Sequence, residues 1–189
     1  MIVCAGGGEA FPFAKSIGIG LVDSAIGLSR ICLQKAPKSL IFIGSAGSYD
    51  SNVAVGSLFF STRATQIELS LVSGQAYTPI DNSINMDSAP FVLHETMQSH
   101  GILEATVNSS NYITATSAYN KRMLAAGLML ENMEFFSVLR VAEYFQIPAW
   151  ALLCVSNIVG DGAHEAWIAS RDIVASRLEN ALRNTLKIL

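Results

Sequence analysis

The chain has 189 residues, of which 51% are hydrophobic and 14% are charged. A chain of this length usually forms one domain with a full hydrophobic core, so we predict a single domain over residues 1–189. The high apolar content indicates a surface covered by a partner, and we expect a homodimer or a higher homo-oligomer. The net charge of −3 gives no electrostatic reason to expect a nucleic acid or a membrane as partner. The apolar runs are also too short to cross a bilayer.

The amino terminus and the cysteines both indicate a cytoplasmic protein. The opening sequence MIVCAGG lacks the charged segment and the long apolar segment of a secretory signal. Cys4, Cys32 and Cys154 are an odd set without CxxC spacing, and all three have apolar surroundings. They are predicted to be buried thiols in a reducing compartment, and we expect neither disulfides nor a metal site. No cofactor is predicted.

The chain opens with a short apolar strand, residues 1–5, which Gly6, Gly7 and Gly8 interrupt. Three glycines let the backbone approach a ligand, and their N–H groups can form an anion-binding nest. A flexible turn explains the same glycines equally well, so both interpretations stand. Glu9 follows directly as the acidic residue of this loop.

The next elements alternate between strand and helix. Residues 11–20 are predicted to form a second strand that closes in a Gly-Ile-Gly turn, and residues 21–34 an amphipathic helix. A strand over residues 39–43 is followed by a turn of small residues, 44–47, and by a further strand, 55–60. Small residues are required where the backbone touches a planar ligand, although such a turn is generic on its own.

The middle of the chain is less informative. Residues 73–89 are polar and are predicted to form a loop, and a short helix follows over residues 90–99. Residues 102–107 and 112–115 favour short strands, and residues 117–127 favour a helix.

The last third of the chain has the strongest pattern. Residues 135–145 have helical spacing of apolar side chains, and residues 149–155 form an apolar run typical of a strand buried on both faces. Polar residues flank this pair, residues 131–134 before the helix and 156–157 after the strand, and a long helix is predicted over residues 163–189. The order of elements predicts an α/β protein with three layers, α/β/α, around a central mixed sheet.

Two motifs carry a resemblance to a known family. Met133 and Glu134 stand at a helix start, one helix and one strand before Ser156 and Asn157. This arrangement resembles the nucleoside phosphorylase and nucleosidase superfamily, in particular methylthioadenosine/S-adenosylhomocysteine nucleosidase and futalosine hydrolase. The resemblance implies that Met133 and Glu134 bind the ribose of a purine nucleoside. It also implies that Asn157 recognises the purine and takes part in catalysis.

The second motif is the turn of small residues together with the strand behind it. It resembles the segment that this superfamily wraps around the nucleoside, which implies that Ser45, Ala46 and Gly47 contact the substrate. The resemblance also places Tyr112 and Ile113 against the purine, with Tyr112 stacked on the base and the Ile113 backbone at its edge. Packing in the protein core explains these two residues equally well.

Glu9 is the candidate for activating water. In the nucleosidases the loop after the first strand carries the catalytic carboxylate, and Glu9 is the acidic residue of that loop here. It lies closer to the strand than in the family, and the amino-terminal region is shorter than the family pattern.

The resemblance implies an enzyme that cleaves the N-glycosidic bond of a purine nucleoside. Asn157 cannot protonate N7, but its amide can donate to N7 or pair with O6. The enzymes of this superfamily that act on 6-oxopurines have asparagine at this position, so the resemblance favours a 6-oxopurine, as in inosine or futalosine. Hexameric phosphorylases have an arginine for phosphate shortly before the small-residue turn, where this chain has Phe42, so hydrolysis is preferred. The alternatives are a phosphorylase that uses phosphate as co-substrate and a nucleoside-binding homologue without catalysis.

Overall fold

The computed structural model describes residues 1–86 and 91–188. Ten strands of this part of the chain form one mixed sheet. The strands are β1 (Ile2–Cys4), β2 (Lys15–Ser16), β3 (Leu40–Ser48), β4 (Leu58–Ser61), β5 (Arg63–Thr65), β6 (Ser83–Asn85), β7 (Leu103–Glu104), β8 (Val107–Ser109), β9 (Leu130–Asn132) and β10 (Ala149–Ile158). The helices are α1 (Gly20–Lys35), α2 (Leu69–Val72), α3 (Phe91–Ser99), α4 (Asn120–Ala125), α5 (Phe135–Tyr144) and α6 (Ala163–Asn180).

The two longest strands, β3 and β10, lie side by side in parallel at the centre. The sheet order is β6-β5-β8-β9-β3-β10-β4-β7, and β1 joins it by pairing with β3 and with β2. β10 pairs antiparallel with β4, and β3 pairs antiparallel with β9, so the sheet is mixed as predicted.

Helices cover both faces of the sheet, because the buried side chains of the central strands alternate between two cores. Phe42 and Leu153 point to the core formed with α1 and α5. Ile43 and Leu152 point to the core formed with α3 and α6. The three-layer α/β/α architecture predicted from the sequence is therefore confirmed. Within the described residues, no helix has the length and apolar character needed to cross a membrane.

One edge of β3 is shared by two strands that do not meet. β1 pairs with its first half, up to Phe42, and β9 pairs only with its end, at Gly47 and Ser48. The segment between Phe42 and Gly47 therefore has no strand partner on that edge. This gap in the sheet is where the cavity described below lies.

Several predicted element bounds are wrong, and most errors have a local cause. Residues 11–20 form only the two-residue strand β2, since Pro12 has no N–H group and Gly18 has a φ of 114°. The strand predicted from residue 55 begins at Leu58, after Gly56 with a φ of 89°. Residues 112–115 form no strand, and the helix predicted over 117–127 is limited to α4.

The carboxyl-terminal helix and the loops also differ from the prediction. The helix ends at Asn180 and continues as a π-helical turn, Ala181–Thr185, while residue 189 lies outside the described residues. The predicted loop over 73–89 contains strand β6. Positions 87–90, the end of that loop and the start of the next helix, also lie outside the described residues.

Two further corrections concern residues of the candidate active site that is described below. The small residues 44–47 do not form a turn after β3 but belong to its second half. The polar residues 131 and 132, predicted only to precede a helix, lie in strand β9, and the helix α5 begins at Phe135 as predicted. Strand β10 likewise continues through residues 156 and 157.

Candidate active site

A cavity of about 210 Å³ opens at the gap between β1 and β9. Its walls come from the loop after β1, the second half of β3, the end of β9, the end of β10 and the start of α6. The lining side chains include three carboxylates, an imidazole, two amides and an indole: Glu9, Glu131, Glu134, His164, Asn132, Asn157 and Trp167.

A β-bulge in β10 aims two consecutive polar side chains at the cavity. The pairing with β3 shifts between Val155 and Asn157, so that Ser156 is the extra residue. Consecutive strand residues normally face opposite sides of a sheet, and a bulge changes this local direction. Both Ser156 and Asn157 line the cavity as a result.

Hydrogen bonds fix the orientation of the Asn157 amide. The Ser156 hydroxyl lies 2.7 Å from Asn157 Oδ1, and Asn157 Nδ2 donates to the carbonyl oxygen of Ile158 at 3.2 Å. The amide lies directly over β3, where a Cβ atom on Gly47 would approach Nδ2 to 3.1 Å. Glycine at position 47 therefore makes room for this side chain.

Glu134 is a buried carboxylate at the start of α5. Its Oε1 accepts a hydrogen bond from the backbone N–H of Gly20 at 3.0 Å, and its Oε2 accepts one from Met133 at 3.2 Å. Burial, together with the nearby Glu9 carboxylate, raises the pKa of Glu134 to about 7, although the two N–H groups oppose the rise. Near neutral pH, Glu134 is thus present in both its ionised and its protonated form.

Glu9 crosses from the loop after β1 to the unpaired segment of β3. Its Oε2 accepts a hydrogen bond from the backbone N–H of Ser45 at 3.3 Å, and its Oε1 accepts one from the Ser45 hydroxyl. The carboxylate thereby satisfies the Ser45 N–H group, which has no strand partner at this edge of β3. Gly44 permits the approach, because a Cβ atom there would lie 3.1 Å from Oε2.

A second buried carboxylate, Glu131, holds the loop that carries Tyr112 and Ile113. The backbone N–H and the hydroxyl of Thr114 donate to Glu131 at 3.1 and 2.6 Å, and the Tyr49 hydroxyl donates at 2.7 Å. Burial and the Glu131 charge together raise the pKa of Tyr49 well above its usual range, so that it remains a donor. The loop is therefore anchored to the end of β9, beside the cavity.

A sequence model described as the phosphorylase superfamily matches residues 2–187. The chain belongs to this superfamily. No curated protein sequence matches it significantly.

Solved structures with this superfamily fold resemble the chain over nearly its whole length. The S-adenosylhomocysteine nucleosidase from Streptococcus pyogenes, in complex with 5-methylthiotubericidin, has a TM-score of 0.80 at 14% identity, covering 100% of this chain and 95% of that one. A futalosine hydrolase mutant from Helicobacter pylori has a TM-score of 0.76 at 19% identity, covering 96% and 84%. An aspartate-to-asparagine mutant of the Helicobacter pylori nucleosidase MTAN, with 5′-methylthioadenosine in the active site, has a TM-score of 0.78 at 18% identity, covering 96% and 84%. At these identities, the likeness establishes the fold.

The structure brings the site residues predicted from the sequence to one place. With one exception, all of them line the cavity: Gly6, Gly8, Glu9, Ser45, Ala46, Gly47, Tyr112, Ile113, Met133, Glu134 and Asn157. The exception is Gly7, which is not among the lining residues. Gly6 has a structural reason to be glycine, since its φ is 105° and a Cβ atom there would lie 2.9 Å from Cβ of Ser16.

Five polar residues of the cavity were not assigned a role from the sequence: Glu131, Asn132, Ser156, His164 and Trp167. Glu131 and Asn132 precede the Met-Glu pair of the superfamily, but a three-residue strand gives no periodic signal to place them. His164 and Trp167 lie near the start of α6, within the long helix predicted over residues 163–189. The one available signal was chemical, since a tryptophan N–H group usually finds a hydrogen-bond partner when the ring is buried.

Proposed function

We propose that the chain is a purine nucleosidase, which hydrolyses the N-glycosidic bond of a purine nucleoside. The observation that carries this proposal is that Glu9, Glu134 and Asn157, from three distant parts of the sequence, line one cavity. The reaction needs a group for the ribose hydroxyls, a donor for the leaving purine and a base for water. These three side chains match those needs. The relatives of similar fold include nucleosidases and a futalosine hydrolase, which supports the same reaction class.

Glu134 binds the ribose in this proposal. Each of its oxygens accepts one backbone N–H group, which leaves a further lone pair on each for the 2′- and 3′-hydroxyl groups. These contacts strengthen as the sugar gains oxocarbenium character, so they favour the transition state over the bound substrate. Met133, which also lines the cavity, packs against the sugar.

Asn157 recognises the purine, and its hydrogen bonds favour a 6-oxopurine. One amide proton is used by the Ile158 carbonyl and one lone pair of Oδ1 by the Ser156 hydroxyl, so the second amide proton is the donor left for a ligand. N7 and O6 of a 6-oxopurine are both acceptors, whereas a 6-aminopurine presents a donor at that position. Inosine-like or futalosine-like nucleosides therefore fit better than adenosine-like ones.

Water is the preferred nucleophile, and Glu9 is the group that activates it. The ionisable side chains that line the cavity are those of Glu9, Tyr112, Glu131, Glu134 and His164, so a phosphate dianion would meet three carboxylates. Phe42, at the position where the hexameric phosphorylases have an arginine, is buried and packs on Phe135 with ring centroids 6.0 Å apart. Gly6 and Gly8 of the proposed anion nest border the cavity beside the Glu9 carboxylate.

The base lies between β3 and the loop after β8 in this proposal. Ser45, Ala46 and Gly47 contact one side of the nucleoside, and Tyr112 and Ile113 the other. The side chains of Tyr112 and Ile113 are 66% and 53% exposed although they line the cavity, so this wall is open to solvent in one chain. We propose that a second copy of the chain covers it in a homodimer.

Base release from purified protein tests the function. The protein is incubated with inosine, futalosine or methylthioadenosine, with and without phosphate, and free base is measured by chromatography. We expect hypoxanthine from a 6-oxopurine nucleoside in the absence of phosphate. A strict requirement for phosphate contradicts the hydrolytic assignment, and no release under any condition favours a binding protein.

A matched pair of variants tests the assignment of the ribose site. Glu134→Gln should abolish turnover while the fold is retained, whereas Glu165→Gln, at an exposed position of α6, should leave turnover unchanged. Circular dichroism establishes that both variants are folded. Turnover that persists in folded Glu134→Gln contradicts the proposed role of Glu134.

A further inference from the structure

Glu9 reaches the cavity wall from a loop that constrains it little. It ends a single turn of 3-10 helix, Gly7–Glu9, in which its own N–H group bonds to the carbonyl oxygen of Gly6. The turn follows a glycine with a φ of 105°. The direction of the Glu9 side chain therefore depends on the groups that its carboxylate contacts.

One of these groups comes from the far end of the chain. The indole N–H of Trp167 donates to Glu9 Oε1 at 2.9 Å, and its nitrogen also lies 3.0 Å from Ser45 Oγ. The Ser45 hydroxyl donates to the same Oε1, while the Ser45 backbone N–H donates to Oε2. Because each carboxylate oxygen has two lone pairs, Oε1 is fully used and Oε2 keeps one acceptor position.

The indole ring is itself held in place by its neighbours. A Cβ atom on Gly8 would lie 3.0 Å from Cη2 of Trp167, so glycine at position 8 lets the ring lie against the loop that carries Glu9. The His164 ring stacks on the indole with centroids 5.7 Å apart, and the Arg171 guanidinium lies 5.4 Å from the ring centroid. Such contacts fix the direction in which the N–H group points.

Trp167 also separates two cavities. Together with Gly8, Glu9 and Ser45, it lines both the nucleoside cavity and a smaller one of about 50 Å³ on the side of Arg171. Glu9, Ser45 and Arg171 supply polar groups to the lining of the smaller cavity, so a space of this size can hold a water molecule. Without the indole, the Glu9 carboxylate would have a second hydrated position, directed away from the nucleoside.

We propose that Trp167 is a positioning residue whose indole N–H keeps the Glu9 carboxylate at the wall of the nucleoside cavity, with Oε2 available to the attacking water. The inference rests on the proposed nucleosidase function, in which Glu9 activates that water. The hydrogen bond between Trp167 and Glu9 and its effect on kcat are tested separately.

The contact is tested by nuclear magnetic resonance on ¹⁵N-labelled protein, without any assay of activity. The chain has two tryptophans, Trp150 and Trp167, and Trp167→Phe identifies the indole N–H signal of each. Glu9→Gln should move the Trp167 signal upfield, because an amide is a weaker acceptor than a carboxylate, and should leave the Trp150 signal in place. A Trp167 signal that does not respond overturns the proposal.

The consequence is tested by steady-state kinetics. Trp167→Phe keeps an aromatic ring but removes the N–H group, and it should lower kcat by roughly 10- to 100-fold, as expected for one hydrogen bond to a charged group. KM should change by less than about threefold, since uniform binding of the substrate is retained. Trp150→Phe is the matched control, because Trp150 is buried in the core between the sheet and α6, and in the described structure it is hydrogen-bonded to neither Glu9 nor Ser45.

A double-mutant cycle distinguishes positioning from a general structural role. If Trp167 acts through Glu9, then Trp167→Phe should cause no further loss of kcat when Glu9 is already glutamine. An equal loss in both backgrounds overturns the proposal. Gly8→Ala provides a second perturbation, which displaces the indole without removing it, and should lower kcat in the same direction. A wild-type protein that releases no base overturns the proposed function instead, and the resonance experiment then decides the role of Trp167.

Discussion

The raised pKa of Glu134 predicts a specific dependence of stability on pH. The carboxylate is buried and lies beside the carboxylate of Glu9, and its pKa rises from 4.5 to about 7 in the folded protein. The folded state then binds more protons than the unfolded state between these two values. The stabilising contribution of protonated Glu134 is therefore complete at acidic pH, and the unfolding free energy falls as the pH rises from about 4.5 through 7.

Glu134→Gln isolates this contribution. At 1.36 kcal/mol per pH unit, the pKa rise corresponds to about 3 kcal/mol of unfolding free energy lost by the wild type between pH 4.5 and pH 8. Glutamine is neutral throughout, and its carbonyl oxygen can still accept the N–H group of Gly20. The unfolding free energy of the variant relative to the wild type should therefore increase by about 3 kcal/mol over this range.

Urea unfolding followed by tryptophan fluorescence measures the difference at each pH. Other titrating groups are common to both proteins and cancel in the comparison. The exposed Glu165→Gln variant serves as the control and should follow the wild type at every pH. If the difference in unfolding free energy between Glu134→Gln and the wild type stays constant from pH 4.5 to 8, the carboxylate is not desolvated and the reasoning is wrong.

Four further outcomes are expected. The kcat/KM of the wild type should rise with pH through an apparent pKa of about 7, since only ionised Glu134 accepts both ribose hydroxyls; a flat profile between pH 6 and 8 contradicts this. Asn157→Asp should raise the activity on 6-aminopurine nucleosides relative to inosine, because aspartic acid can donate a proton to N7 where an amide cannot, an effect of roughly 10²–10⁴-fold. Gly47→Ala should lower kcat/KM by about tenfold, since the added Cβ lies 3.0 Å from Val159 and 3.1 Å from the Asn157 amide; unchanged kinetics would show that the amide is not held there. Ile19, which lines the cavity, and Val22 and Ile26 on α1 are each more than half exposed, so we expect this face to form the dimer surface. Val22→Glu should then produce monomers in light-scattering measurements, whereas Ile80→Glu, at a 60% exposed position between α2 and β6, should not.

Elements with a clear period were predictable from the sequence, and irregular ones were not. The helix over residues 21–34 was placed to within one residue at each end, because α1 carries an apolar stripe over four turns. The helix from Phe135 was located equally well, and with it the position of Glu134. Strand β9 has three residues and no alternation, so it was missed.

The parts of the site that depend on tertiary contacts could not be predicted. The bulge at Ser156 depends on the register between β3 and β10, which nothing in the sequence of β10 alone specifies. Trp167 and Glu9 are hydrogen-bonded although they lie at opposite ends of the chain. Family motifs indicated Glu9, Glu134 and Asn157 as site residues, but the spatial arrangement of the three required coordinates.

The interrupted edge of β3 has a consequence for how such a protein can change over evolutionary time. Its cavity is a vacancy in the sheet, bounded by main chain whose position follows from which strands pair and where they stop. Substitutions that preserve those pairings, and that keep small residues such as Gly44 and Gly47 where the main chain borders the cavity, leave this gap in the sheet in place. This architecture therefore allows the chain and the nucleosidases of similar structure to have a common fold at 14–19% sequence identity.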